Sequence, residues 1–357
     1  MEVSFEDIRK KFDEAKQKMG KVNIALIGKT GVGKSTLINA VFDEDLAETG
    51  IGRPVTQNCK EYTKEGSYIN LLDTKGFEIE NFPSILEQLK SIIQSKKTQD
   101  PATHIHLAWY CISCVSNRIE SAEVKFINEL GSLIPIIVVI TQSIKSNRAL
   151  KEQLELEALN AKQIVPVLAQ DYEVEDLGIK KAFGLDILVD VSTQVIPEAF
   201  KAAFASAQKV NLALKESSAR KIVHASATAA GAACAVPVPL SDAIMLAPIQ
   251  IGMLSQISRV MGLESSEKFL ATLVSAAAGV AGATYVGRLV FSNILKLIPV
   301  AGSSVGAVVG ASTAVVITET MGNAYVATLH YLIENSITLS PETIAETFKK
   351  KLKNKNK

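Results

Sequence analysis

Eight consecutive residues carry the chemistry that is easiest to read: Gly28-Lys29-Thr30-Gly31-Val32-Gly33-Lys34-Ser35. They fit the spacing G-x-x-x-x-G-K-[ST], between an apolar stretch and a helical one. Glycines let a loop wrap closely, so that backbone N–H groups converge on phosphate oxygens. A helix that follows directs its positive N-terminal end at the same anion. Lys34 is placed to reach the β- and γ-phosphates of a nucleotide, and the Ser35 hydroxyl to ligate Mg2+. Thr36 belongs to the same loop-to-helix junction.

Two further segments lie at workable distances. Asp73-Thr74-Lys75-Gly76 follows the apolar run YINLL, 39 residues past Lys34. A carboxylate at a strand end can hold Mg2+ through water, and Gly76 leaves room for its N–H to meet a γ-phosphate. Upstream, Arg53-Pro54-Val55-Thr56 reads as a loop, with Thr56 a candidate second hydroxyl on the metal. Lys34, Thr56 and Gly76 are thus the expected catalytic positions, and Ser35, Thr56 and Asp73 the expected metal ligands.

These groups need elements to position them. VNIALIG (22–28), GSYINLLDT (66–74), HIHLAWYCIS (104–113), IPIIVVIT (134–141) and QIVPVLA (163–169) read as strands. Helical stretches at 34–43, 83–97, 119–130 and 146–161 lie between them, and one more helix is expected from 186 to about 206. Alternating β and α predicts a mostly parallel sheet with helices on both faces. Phe5, Ile8, Phe12 and Ala15 mark an amphipathic helix over 4–19. The expected organisation is an N-terminal helical segment (1–20), an α/β domain (21–206), a helical connection (207–221), an all-α helical domain (222–340) and a Lys-rich tail (341–357).

The motifs GKTGVGKSTLINAVF, PVT and DTKG resemble the first three of the translation-factor-related P-loop GTPases, in the Era-like branch. The resemblance covers about residues 21–200 and implies a Mg2+-dependent GTPase that binds GTP and GDP. Val167-Leu168-Ala169 resembles the fifth motif, which implies that Leu168 and Ala169 offer backbone N–H to guanine O6. Thr141-Gln142-Ser143-Ile144 stands where the family has [NT]-K-x-D. Gln142 replaces the lysine that covers the base, and the guanine-reading aspartate is absent. GTP is preferred over ATP on the remaining motifs. Phe77 stands where a water-orienting glutamine is expected, and Gly31 where potassium-assisted relatives carry Asn. Both departures imply slow intrinsic hydrolysis, or a group supplied by an activating protein or a second copy. Lys29 and Arg53 are weaker candidates as charge donors.

The C-terminal half differs in composition. Only nine Asp, Glu, Lys or Arg residues fall among the 119 positions 222–340, although charged residues make up 21% of the chain. Three runs carry no such charge: 222–241, 269–287 and 297–318. Each is long enough to cross about 30 Å of hydrocarbon as a helix. Their glycines, hydroxyl residues and prolines weaken insertion, so conditional insertion and a tightly packed helical domain both fit. Pro237, Pro239, Pro248 and Pro299 punctuate the region, and Gly302, Gly306 and Gly310 permit close helix approach. The region resembles the small-residue-rich helical domain of unknown function fused to some Era-like GTPases, which implies membrane association. Asp242 beside Ser241 reads as a helix N-cap. Six lysines in 349–357 could rest on anionic lipid.

Lys+Arg of 38 against Asp+Glu of 37 excludes a strongly basic nucleic-acid binder. Four cysteines exclude a disulfide scaffold and fit a reducing, cytoplasmic setting. The opening MEVSFEDIRKKF has no apolar core like that of a secretory signal. Cys111 and Cys114 read as buried thiols rather than zinc ligands, and His104 and His106 lack a third ligand. Trp109 and Tyr110 read as core. The composite expectation is a GTP-driven switch at a membrane. The alternatives are a dynamin-like self-assembling remodeller and a nucleotide-binding scaffold with little hydrolysis.

Overall fold

The computed structural model describes residues 20–42, 51–54, 59–63, 67–74, 82–116, 118–145, 147–157, 159–174, 178–234, 242–263 and 311–354. The chain divides into two compact units, Met19–Asn211 and Leu212–Lys357 with Met1–Lys18. The expected helix over 4–19 lies outside the described residues.

In the first unit a seven-stranded sheet has the order β2-β3-β4-β1-β5-β6-β7. Its strands are β1 (Val22–Ile27), β2 (Ile51–Pro54), β3 (Cys59–Thr63), β4 (Ile69–Thr74), β5 (Leu107–Ser113), β6 (Ile136–Thr141) and β7 (Gln163–Pro166). All contacts are parallel except those of β3, which pairs antiparallel with both neighbours. Helices α1 (Lys34–Val41), α2 (Phe82–Lys97), α3 (Ser121–Gly131), α4 (Arg148–Leu156), α5 (Leu185–Val195) and α6 (Glu198–Ala207) flank it. A small antiparallel pair, β8 (Tyr172–Val174) and β9 (Gly178–Lys180), follows β7. This is the expected mostly parallel α/β class.

Every residue of β1 and β6 is buried, as a central parallel strand covered on both faces requires. Ala25, Ile27, Tyr110, Val138 and Ile140 point to one face, where they pack with Leu89 of α2, Phe126 of α3 and Leu150 of α4. On the other face Phe42 stacks on Trp109 at 5.7 Å and meets Phe204 edge-on. Trp109 Nε1 donates to Ser192 Oγ at 3.1 Å, so the buried indole N–H is satisfied. Trp109 and Tyr110 are core, as expected.

At the N-terminal end of β1, His106 Nδ1 accepts the Asn23 backbone N–H at 3.0 Å. Asn23 Nδ2 donates to Ala102 O and His104 O. Burial holds the His106 pKa down at about 4, so the ring is neutral and serves as an acceptor.

Several elements differ from expectation. Arg53 and Pro54 belong to strand β2, not to a loop. Pro54 falls in the edge strand, the part of a sheet where proline is tolerated. Polar residues mask β2 and β3 in the sequence. The helix expected from 186 to 206 is two helices. Ile196 takes ψ 136 before Pro197, whose ring disfavours the α conformation in the preceding residue. Helix α4 stops at Leu156 rather than 161, and the Asn160 N–H turns to Asn128 Oδ1 at 2.6 Å.

The second unit holds α7 (Leu212–Ala233), α8 (Asp242–Val260), α9 (Ala311–Glu334) and α10 (Pro341–Asn354). Helix α7 runs unbroken across 221, where the sequence suggested the end of a connection. Asp242 opens α8, and Pro248 lies within it. Proline removes one helical hydrogen bond, and here it does not end the helix. Among the described residues no helix is long and apolar enough to cross a membrane. Run 269–287 and Gly302, Gly306 and Gly310 lie outside the described residues.

Small residues set the spacing of this unit. A Cβ on Gly322 of α9 would fall 2.7 Å from both Val223 methyls on α7 and 2.9 Å from Met253 Sδ on α8. Tyr325 OH lies 2.8 Å from Ser258 Oγ, and Gln250 Nε2 donates to Thr318 Oγ1 at 3.3 Å, so the core contains satisfied polar pairs. Gly322→Val is expected to overpack this junction and cost about 1–3 kcal/mol. A lower unfolding midpoint in a urea titration followed by circular dichroism checks it.

Candidate functional site

Strand order fixes where a site can form. From β1 the chain crosses to β4 on one side and later to β5 on the other, so β1 is a topological switch point. In open α/β sheets the crevice lies beyond the C-terminal strand ends at such a point. The loop 28–33 leaves β1 there.

Its backbone is unusual in a way that only these residues allow. Gly28 has φ 147, Gly31 φ 76 and Gly33 φ 89. A Cβ on Gly28 would lie 2.4 Å from Cys111 O, so the loop can lie against β5 only without a side chain there. Helix α1 starts at Lys34 with no side-chain cap and no acid in its first turn. Its N-terminal end therefore keeps its unneutralised positive character. Ser35 and Thr36 stand exposed on that first turn.

Lys34 curls back over the loop. Its Nζ donates to Gly28 O at 2.8 Å and to Lys29 O at 3.2 Å, using two of its three donors. Burial lowers its pKa, and Asp73 opposes the shift. Asp73, next to last in β4, lies opposite Leu26 of β1. Its Oδ1 is buried with no hydrogen-bond partner among the described residues. Burial raises the Asp73 pKa from 3.8 to about 6, against the pull of Lys34 and Lys60. An orphaned carboxylate oxygen beside a desolvated ammonium and an uncapped helix end fits a polyphosphate with a divalent cation.

Other residues hold the loop in shape. The Thr141 hydroxyl lies 2.5 Å from Val32 O and 3.1 Å from Ile112 O. Gln142, at φ 51, donates from Nε2 to Gly31 O at 3.1 Å. Its Oε1 accepts from Ser113 Oγ at 2.5 Å. Both ends of the Gln142 amide are therefore engaged. The Lys29 ammonium turns away to Glu120 and Glu123 at 3.3 and 3.1 Å, at the start of α3. Lys29 and Thr30 thus belong to the loop through their backbone. Leu168 exchanges both backbone bonds with Phe183, which leaves Ala169 as the remaining N–H of that pair.

The structure brings Gly28 to Thr36, Asp73, Thr141 and Gln142 to one end of the sheet. Thr56, Gly76 and Phe77 lie outside the described residues, as does the side chain of Arg53. Burial pushes the Cys111 thiol up to about 12, so it stays neutral beneath the loop. No group of acids, His and Cys fit for a metal ion occurs among the described residues. Sequence reasoning missed Ser113, Glu120, Glu123 and Lys180, which carry no local motif and meet the loops only through the fold.

Fold and cradle together define a P-loop nucleotide-binding domain. Residues 23–142 match the family described as 50S ribosome-binding GTPase, and residues 200–355 match a domain of unknown function, DUF697. The chain thus carries a P-loop GTPase domain followed by a DUF697 helical domain, and such a GTPase domain takes GTP or GDP with Mg2+. Septin-9 of Mus musculus is 23% identical over 192 residues, covering 45% of this chain and 33% of that protein. Ribosome biogenesis GTPase A of Bacillus licheniformis is 38% identical over 77 residues, covering 21% and 27%. The chain thus spans about a third or less of the length of these two relatives. The crystal structure of a probable GTP-binding protein engB covers 49% of this chain and 98% of that one, at 17% identity and TM-score 0.33.

The Asp73 environment sets a pH dependence. A carboxylate raised above its unfolded value stabilises the fold fully below about pH 4, and this is lost as pH rises through about 6. Asp73→Asn is expected to stabilise the nucleotide-free protein at pH 7 by about 2 kcal/mol and to flatten its stability between pH 4 and 6. Urea unfolding across that range checks both. The same change is expected to weaken the Mg2+ dependence of nucleotide binding.

Proposed function

We propose that this chain is a Mg2+-dependent GTPase of the Era-like branch that acts as a nucleotide-driven switch at a membrane surface. The observation that carries the reading is the meeting of Lys34 and the unpartnered Asp73 oxygen where β1 delivers its glycine-rich loop. In this reading the amides of 28–35 and the Lys34 ammonium hold the β- and γ-phosphates. Ser35, Thr56 and Asp73 would hold Mg2+, which would neutralise charge on the phosphates. Gly76 offers its N–H to the γ-phosphate, and Thr141, Gln142, Leu168 and Ala169 border the base. Hydrolysis passes the γ-phosphoryl group to water and releases the segments around Thr56 and Gly76.

The membrane part draws on composition and on α10. Ile344, Ala345, Phe348 and Leu352 are buried along one face of that helix. Lys349, Lys350 and Lys351 occupy successive positions near its end; the Lys351 ammonium lies 4.9 Å from the centre of the Tyr331 ring, and Lys350 is exposed, a cation that could meet anionic headgroups. In this reading the protein works in the cytoplasm, associated with a membrane.

A second reading rests on Lys29. With its ammonium tied to Glu120 and Glu123, it is not poised to offset charge on a reacting phosphate. A group from a second copy or an activating protein then completes the site, as in a self-assembling remodeller.

Lys34→Ala is expected to weaken GTP and GDP binding by about a hundredfold or more, because a buried charged donor to phosphate is lost. Calorimetry on the full chain reads this, and unchanged affinity refutes the cradle. Flotation with vesicles containing phosphatidylserine tests the membrane role. The expected result is binding that depends on whether GTP or GDP is present. Nucleotide-dependent dimerisation in sedimentation supports the second reading.

A further inference from the structure

We propose that Glu123 is a positioning residue for phosphate binding: it holds the Lys29 ammonium, and Lys29 in turn carries a carbonyl on which the Lys34 ammonium rests. The inference depends on the reading above, in which Lys34 binds the β- and γ-phosphates, and it names a residue that acts on Lys34 from outside the loop.

Glu123 lies in the first turn of α3, and its side chain is 4% exposed. A carboxylate seldom goes so far out of water without strong partners. Three donors from three parts of the chain meet it. Lys29 Nζ lies 3.1 Å from Oε2. The Glu120 backbone N–H donates to the same oxygen at 3.2 Å and closes a capping box at the start of α3. Tyr110 OH, from β5, lies 3.4 Å from Oε1. The Tyr110 ring packs on Phe126 of α3 with centres 5.7 Å apart. Sheet and helix together thus fix the direction of the carboxylate, and the loop is fastened to it.

The restraint passes inward through one residue. Lys29 is tethered at both ends, by its ammonium to Glu123 and Glu120 and by its backbone oxygen, which accepts from Lys34 Nζ at 3.2 Å. The other acceptor of the Lys34 ammonium is Gly28 O, one residue earlier, at 2.8 Å. Both acceptors therefore belong to the stretch that the Lys29 side chain ties to α3. A shift of that stretch carries both carbonyls, and with them the ammonium they hold.

Glu120 is the weaker holder. Its side chain is 26% exposed, it meets Lys29 at 3.3 Å, and Arg118 approaches it at 3.9 Å. Exposed ion pairs contribute little, whereas a buried carboxylate that loses its cation is left uncompensated. The Glu123 contact is therefore the one that sets the place of Lys29.

The test is a double-mutant cycle read by calorimetric titration of the full chain with GDP and Mg2+. Glu123→Gln keeps an oxygen for the capping box and an NH2 group that can donate to the Tyr110 oxygen, and it drops the charge that holds Lys29. Glu123→Gln and Lys29→Met are each expected to weaken GDP binding about fivefold, and the double variant also about fivefold, because both act along one path. Lys29→Arg, which keeps a cation, is expected to lose less than Lys29→Met. Tyr110→Phe removes a contact of the same carboxylate and leaves Lys29 alone. It is expected to lower the urea unfolding midpoint and to keep GDP affinity within about twofold of wild type. Glu123→Gln with wild-type affinity overturns the proposal. So does a double variant whose loss is the product of the two single losses, since Glu123 then acts independently of Lys29. Tyr110→Phe that weakens GDP as much as Glu123→Gln also overturns it, as a general loosening of the fold. If Glu123→Gln does not fold, Lys29→Met and Lys29→Arg carry the test, and equal affinities for the two overturn the proposal. In each of these cases the cradle stands if Lys34→Ala weakens binding about a hundredfold. Wild-type protein that binds no GDP overturns both this proposal and the nucleotide reading.

Discussion

Two opposite charges taken partly out of water set the character of this protein. Lys34 and Asp73 attract one another, yet burial is the larger influence on each, lowering the amine and raising the carboxyl. In the proposed reading a divalent cation and a polyphosphate would supply countercharges to both at once. That juxtaposition depends on β4 lying beside β1 in a register that pairs Leu26 with Asp73. The crossovers, the antiparallel β3 and the helices on both faces matter here because they deliver two strand ends side by side.

The loop between those charges is shaped before any ligand arrives. Gly28 lets it press on the β5 carbonyl of Cys111, Thr141 grips Val32, and Gln142 ties Gly31 to Ser113. Lys29 anchors its flank to the start of α3. Conformational freedom removed during folding need not be removed again on binding. Gln142 shows how a departure from a family pattern can keep one function and drop another. A neutral amide holds the loop by hydrogen bonds, while the charge that a lysine brings to this position is gone.

What could be read in the sequence followed from local chemistry. The strand–glycine loop–helix unit is specified by residues adjacent in the chain, and continuous apolar runs mark strands buried on both faces. Strands β2 and β3 were hidden because edge and near-edge strands tolerate polar residues and a proline. The break at Pro197 was legible from the proline alone, although helical periodicity continues across it. Lys180 was out of reach for another reason. It meets Ser143 and Ile144 only because β9 folds back after the fifth-motif segment, and no spacing rule encodes that return.

The helical unit shows why scarcity of charge is an ambiguous signal. Helices that approach until a Gly322 Cβ would collide with Val223 have no room at the seam for long charged side chains. Glycine and alanine permit the approach, and short hydroxyl and amide groups satisfy one another inside it, as Ser258 does with Tyr325 and Gln250 with Thr318. The charge-free stretches that enter α7 and α9 therefore serve this packing directly, whether or not lipid is near. In the proposed membrane reading, affinity would come from what lies outside the seam, where Lys350 on α10 is one exposed cation.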